Sequence, residues 1–238
     1  MPRTFFAAAM LAMADAYKWV ERQGTKIVYR PDVDINEYRV DPSLYPMAFK
    51  WPEEKFRCGG TMISPTMALT AAHCVEASEA SGNPNLSVVL NDGQSYGISE
   101  FRVNDCWDFS GWGGPYSADI AIMVLDRPVE NAVAGTHYVD IWDASERGDV
   151  VGKTFLLAGW GASGEIREDG TEDHLVYETF HRGYNVVDQI RDGMLVYDFD
   201  RPDTAEALEA MGHFGDSGSM AGIEVDGTLL IAGVKSNG

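Results

Sequence analysis

Residues 213–219, HFGDSGS, constrain this chain more than any other stretch. A serine hydroxyl is a weak nucleophile at its ordinary pKa, so a chain that uses one must also supply a sharp turn, a base and donors for a developing oxyanion. Gly215 and Gly218 flank Ser217, which lets the backbone bend tightly and aim the amides of Gly215 and Ser217 the same way. The base has to come from elsewhere in the chain. Residues 70–74, TAAHC, offer His73 after a short apolar run, and residues 118–125, ADIAIMVL, offer Asp119 at the start of a strand-like segment. His73 would accept the Ser217 proton on one ring nitrogen while the other donates to Asp119, which fixes the tautomer. The remaining histidines, His137, His174, His181 and His213, read as surface or loop residues. An imidazole base works only when neutral, so activity is expected to fall in acid with a single protonation.

Short apolar runs broken by glycine and proline predict a chain built mainly of strands. Residues 45–69 alternate apolar and polar groups with Pro52, Gly59, Gly60 and Pro65 as punctuation. Residues 86–90, the turn 91–93 and residues 95–98 read as a hairpin. Residues 120–125 are nearly continuous in apolar side chains, as expected of a strand buried on both faces, and Asp126, Arg127 and Pro128 end it. Residues 133–151 bridge to a second set of strands starting at 155–160. A turn at 191–193 separates two further strand-like pieces, and residues 204–211 carry the best helical period. The loop 104–115 leads into Asp119; its Trp107, Phe109 and Trp112 either wall one side of a cleft or cover the end of a barrel.

CGGTMISPTMALTAAHC, DIAIMVL, LAGWGASG and GDSGS stand in an order and spacing that resemble the trypsin and chymotrypsin family of serine endopeptidases, closer to its microbial members. The resemblance covers roughly residues 27–238. It implies an all-β fold of two packed six-stranded antiparallel barrels with the site in the crevice between them. The first barrel would span residues 27–140 with His73 and Asp119, and the second residues 141–238 with Ser217. The resemblance further implies His73, Asp119 and Ser217 as catalytic residues, the amides of Gly215 and Ser217 as the oxyanion hole, and a Cys58–Cys74 disulfide. A bridge closing a loop of that size stabilises by about 3 kcal/mol in the chain-entropy model. Asp216 would act as a latch by pairing with an N-terminus freed at Ile27, after Lys26. An alternative alignment through residues 40–46 puts that start near Ile35. Met211 stands where a trypsin has an aspartate, which points to apolar or small substrate side chains rather than Arg or Lys, and Ser236, Asn237 and Gly238 resemble the substrate-pairing edge. The chain departs from the family at His213, where a disulfide cysteine is usual, and at Ser219 and Met220, where Gly and Pro are usual. Relative to the family the second barrel is expected to lack a strand and a terminal helix beyond Gly238.

The formal net charge of −19 argues against nucleic acid and anionic membranes as partners. It either attracts basic substrates or serves solubility. Residues 1–16 have the layout of a secretory signal peptide, and 17–26 that of a pro-segment, so a secreted protein is expected. No run reaches the length of a membrane span. Of the three cysteines, Cys106 is left over, either as a buried thiol or as a partner for something outside the chain. Asn85, Leu86 and Ser87 form a glycosylation acceptor. Asp198, Asp200 and Asp203 read as a solvated strand face followed by a turn rather than a calcium site. No cofactor and no metal are expected. The expected partners are a polypeptide substrate and protein inhibitors, with the chain a monomer. Two other functions share these motifs: a catalytically impaired homologue acting as a binding module, and an esterase on the same triad.

Overall fold

The computed structural model describes residues 18–20, 27–30, 32–52, 58–80, 82, 86–107, 118–166, 172–176, 179–200, 203–212 and 215–236. The leader, Asn85, Phe109, Trp112, His213, Asn237 and Gly238 lie outside them, as does the side chain of His174. Strands β1 (Lys18–Val20) and β2 (Ile27–Tyr29) come first. A barrel follows from β3 (Ala48–Lys50), β4 (Gly59–Met62), β5 (Met67–Thr70), β6 (Ser87–Leu90), β7 (Ser95–Val103) and β8 (Ala121–Leu125). Later come β9 (Asp140–Ile141), β10 (Thr154–Gly159), β11 (Ser163–Ile166), β12 (Glu172–Val176), β13 (His181–Val186), β14 (Gln189–Arg191), β15 (Met194–Val196), β16 (Met220–Val225) and β17 (Thr228–Val234).

Strands β3 to β8 close on themselves in the order β3-β4-β5-β8-β7-β6, each pair antiparallel. Closure removes the open edges that a sheet of such short strands would otherwise expose. The hairpin expected after residue 86 is β6–β7, and the apolar run 120–125 is β8, whose only partly exposed side chain is Val124. Phe49, Met62, Leu69, Ile122 and Met123 fill the barrel with at most 1% exposure each. Gly60 is required there because a Cβ would enter the ring of Phe49.

The second half forms a five-stranded sheet in the order β13-β10-β16-β17-β9 among the described residues. Among the described residues this sheet is open, and β9 joins β17 in parallel. Two small three-stranded sheets flank it, β1-β15-β14 and β12-β11-β2. Strict alternation in β13 points His181, Gly183 and Asn185 inward. His181 is therefore only 2% exposed, which corrects its reading as a surface or loop residue. The helix expected at 204–211 is also absent. The Tyr184 amide donates to Leu208 O and the Ala210 amide to Tyr184 O, so sheet pairing takes the backbone groups a helix would have used. The turn at 191–193 is present, with Asp192 and Gly193 at positive φ. Cys106 is exposed, which overturns the buried alternative.

One apolar cluster runs from the barrel residues Phe49, Leu69 and Met123 into Leu156, Met220, Ile231 and Val234, so the halves share a core. Trp160 joins them as well: its Nε1–H donates to Asn91 Oδ1 at 2.9 Å and its ring lies 4.2 Å from Lys50 Nζ. Among the described residues, no helix is long and apolar enough to cross a membrane.

Candidate active site

His73 sits on a nine-residue helix, Ala72–Ala80, that begins where β5 ends. No pattern in residues 72–80 announces this helix. Its first turn leaves backbone N–H groups without partners inside the helix. Asp119, in the link just before β8, supplies one: its Oδ1 accepts the His73 backbone N–H at 2.9 Å. Its other oxygen, Oδ2, accepts from His73 Nδ1 at 2.7 Å. A single carboxylate thus fixes the helix start and the ring together. It also assigns the Nδ1–H tautomer and leaves Nε2 as the basic nitrogen.

The hydroxyl of Ser236, a residue expected on a substrate-pairing edge, donates to Asp119 Oδ2 at 2.5 Å, so Oδ2 accepts two hydrogen bonds. His73 is 6% exposed, Asp119 1% and Ser236 1%. Burial pushes the Asp119 carboxyl up, but the His73 ring, the Ser236 hydroxyl and the His73 amide together hold it below the usual carboxylate range. The aspartate therefore stays anionic at neutral pH despite its burial.

The expected disulfide joins Cys58 on the barrel to Cys74 on the helix, with Cα atoms 6.1 Å apart. It also connects the two sides of the site. Cys74 Sγ lies 3.6 Å from His73 Nε2, while Cys58 forms a β-bridge with Ser217. The Gly59 amide donates to Ser217 O at 2.7 Å, which seats the serine turn against the barrel. Cys58, His73 and Cys74 bring ligating atoms within 4.8 Å of one another. With both sulfurs in the disulfide, that group offers no thiolate to a metal.

The serine turn is held by close packing that tolerates no side chain. Gly215 and Gly218 have φ of 94° and 85°, where L side chains are strained. A Cβ on Gly218 would also collide with Gly59 O and Thr70 Oγ1. Thr70 Oγ1 itself donates to Gly59 O at 2.8 Å. Ser219, which replaces the usual glycine, places its hydroxyl over the bare faces of Gly59 and Gly159. The Ser219 amide closes the turn on Asp216 O at 2.8 Å. The Asp216 carboxylate is buried and accepts from the Gly161 amide at 2.8 Å. Gly159 and Gly161 leave it room, since a Cβ on either would meet its oxygens. Ile27, the expected freed terminus, pairs with Ser163 in the parallel β2–β11 ladder, two residues beyond Gly161.

A cavity of about 20 Å³ is lined by Met211 together with the turn residues Asp216 and Ser219. Tyr29, His181, Asp216 and Lys235 share its wall. His181 and Lys235 were not singled out from the sequence. The signal for Lys235 was present, as a lone cation directly after the apolar strand β17. Burial, followed by the Arg39 charge, lowers the His181 imidazole to about 4, so it is neutral at pH 7.

A closed antiparallel barrel that shares its core with a second, mainly antiparallel sheet, with a buried histidine–aspartate pair beside both, places the molecule in the chymotrypsin-like double-barrel class. A family model described as Trypsin matches residues 35–220, and the chain belongs to that family. Among curated relatives, it is 28% identical to "Thrombin-like enzyme acutobin" of Deinagkistrodon acutus over 63% of this chain and 54% of that protein. It is 27% identical to "Snake venom serine protease CL5" of Trimeresurus stejnegeri, over 60% of this chain and 51% of that one. It is also 27% identical to "Fibrinolytic enzyme, isozyme C" of Lumbricus rubellus, over 49% and 46%. The chain spans about half the length of the curated relatives it matches.

Proposed function

We propose that this chain carries the site of a serine endopeptidase that cleaves peptide bonds through an acyl-enzyme. The observation that carries the reading is the buried 2.7 Å bond from His73 Nδ1 to Asp119, which leaves Nε2 basic on the side of the disulfide that leads to Ser217. Ser217 Oγ attacks the scissile carbonyl carbon as His73 Nε2 takes its proton. Asp119 holds the resulting imidazolium, and the amides of Gly215 and Ser217 receive the oxyanion. His73 then returns the proton to the leaving amine, and water repeats the sequence to release the acyl group. Asp216 keeps the serine turn in shape, with Ile27 as the terminus that would reach it. The buried apolar Met211 favours small or apolar side chains at the cleaved position over Arg or Lys.

The two lobes of this reading are residues 27–140 and 141–238; the barrel strands end at Leu125, and β9, Asp140–Ile141, straddles the boundary. The disulfide is of a kind that persists in oxidising compartments, which supports export; the proposed protein is a monomer that acts on polypeptides and meets protein inhibitors. The test is hydrolysis of a peptide library alongside matched esters. Cleavage after Leu, Val or Ala peptides, lost in Ser217→Ala, is expected. Ester cleavage without peptide cleavage would reassign the site to an esterase, and faster cleavage after Arg would refute the substrate preference.

A further inference from the structure

Trp160 stands between the two glycines that seat the serine turn. A Cβ on Gly159 or Gly161 would meet the carboxylate of Asp216, and the Gly161 amide donates to Asp216 Oδ1 at 2.8 Å. Asp216 O in turn accepts the Ser219 amide at 2.8 Å, which closes the turn that carries Ser217. Gly161 lies beyond the last residue of β10 and has no side chain to anchor it, so the nearest anchor on that side is the Trp160 ring. The groups that hold this ring come from the barrel. The indole Nε1–H donates to Asn91 Oδ1 at 2.9 Å, and Lys50 Nζ lies 4.2 Å from the ring centroid.

Asn91 can take only one orientation here. An indole N–H only donates and a backbone carbonyl only accepts, so Oδ1 faces Trp160 while Nδ2 donates to Tyr45 O at 3.1 Å. The Asn91 backbone amide donates to Ala48 O at 3.0 Å, which fixes the residue to β3. Lys50 belongs to β3, and Asn91 directly follows β6, the strand paired with it. Two neighbouring strands thus present a hydrogen-bond acceptor to the edge of the indole and an ammonium to its face.

We propose that Asn91 and Lys50 are positioning residues for the serine turn, acting through Trp160: the barrel holds the indole, the indole fixes Gly161, and the Gly161 amide fixes Asp216. The Gly59 amide already seats Ser217 O from the barrel, and this link adds a second hold on the turn, through the Asp216 carboxylate. It rests on the reading of Ser217 as the nucleophile.

The test is a double-mutant cycle of Asn91→Ala and Trp160→Phe, with Lys50→Met beside it, read as fluorophosphonate labelling rate and as hydrogen exchange of the Gly161 and Ser219 amides. Val88→Ala, a change at a fully buried position of β6, controls for lost barrel stability. Asn91→Ala and Trp160→Phe should each slow labelling about tenfold, and the double variant should label no more slowly than the slower single. Lys50→Met should slow it about threefold. Exchange at Gly161 and Ser219 should quicken in all of these, and peptide cleavage should fall in kcat with KM nearly unchanged. Val88→Ala should lower the urea midpoint and leave labelling as it was. Additive losses in the double variant overturn the proposal, as does an Asn91→Ala variant that labels and exchanges like the native chain. Equal slowing in Val88→Ala overturns it in favour of general loosening. If Trp160→Phe does not fold, the comparison of Asn91→Ala with Val88→Ala decides alone. If the native chain does not label, the Ser217 reading fails; faster exchange in Asn91→Ala then still supports the link, and unchanged exchange overturns it.

Discussion

In the barrel each strand has two neighbours, the core is apolar, and the two polar groups that matter, His73 and Asp119, bind each other directly. In the second half, the order of the five-stranded sheet ends at β13 and β9 among the described residues, and the interior holds His181, Asn185, Asp216 and Lys235 beside its apolar residues. On the proposed reading, the barrel fixes the base by closure and one carboxylate, and the second lobe shapes the nucleophile through glycine packing and a closed turn. The difference teaches that the two halves of such a site fail in different ways. Damage in the first half removes chemistry from an intact frame, whereas damage in the second disturbs the frame itself.

The largest effect expected on that view comes from Asp119→Asn. It should lower kcat/KM by about 10⁴-fold, the loss typical when such a histidine takes the wrong tautomer. The urea midpoint should move little by comparison. A large midpoint shift with a small rate loss would erase the distinction between the halves.

Next is acid. His181 is neutral in the fold with a pKa near 4 against an ordinary 6.5, so the unfolded chain binds its proton more readily. The stability present above pH 6.5 is lost as pH falls toward 4, by about 3 kcal/mol. Urea midpoints taken across that range, in the unchanged chain and in His181→Gln, check this; the substitution should flatten the dependence.

Replacing both bridged cysteines, Cys58→Ser with Cys74→Ser, should cost about 3 kcal/mol or slightly less. Because the bridge ties helix to barrel beside Ser217, labelling should slow as well. A variant with unchanged labelling would show that the barrel alone holds the site together. The smallest effect is that of Ser236→Ala, which removes one of the two bonds on Asp119 Oδ2. A hydrogen bond to a charged group is worth about 2 kcal/mol, so the loss should be roughly tenfold to thirtyfold in kcat, with KM nearly unchanged.

What the sequence made legible follows the same division. His73, Asp119 and the Cys58–Cys74 bridge were readable because each lies inside a short motif with a distinctive neighbourhood, and β8 announced itself as an apolar run. The six-stranded barrel was legible only through the family resemblance, and the parallel joining of β9 to β17 was not legible at all, because it depends on contacts between remote segments. Residues 204–211 misled because a helical period is cheap in so short a stretch, and the Tyr184 backbone was a stronger partner. His181 misled because a lone histidine carries no sign of which way its strand alternates. Ser236 was legible as part of an edge, but its bond to Asp119 required knowing that β17 ends beside the His73 helix.

The most direct measurement is fluorophosphonate labelling of the native chain, with the modified residue located by peptide mass spectrometry. Stoichiometric modification at Ser217, abolished in Ser217→Ala and slowed strongly in His73→Ala, is the predicted result. Modification at another residue, or none in a folded chain, would contradict the assignment of Ser217 as a nucleophile driven by His73.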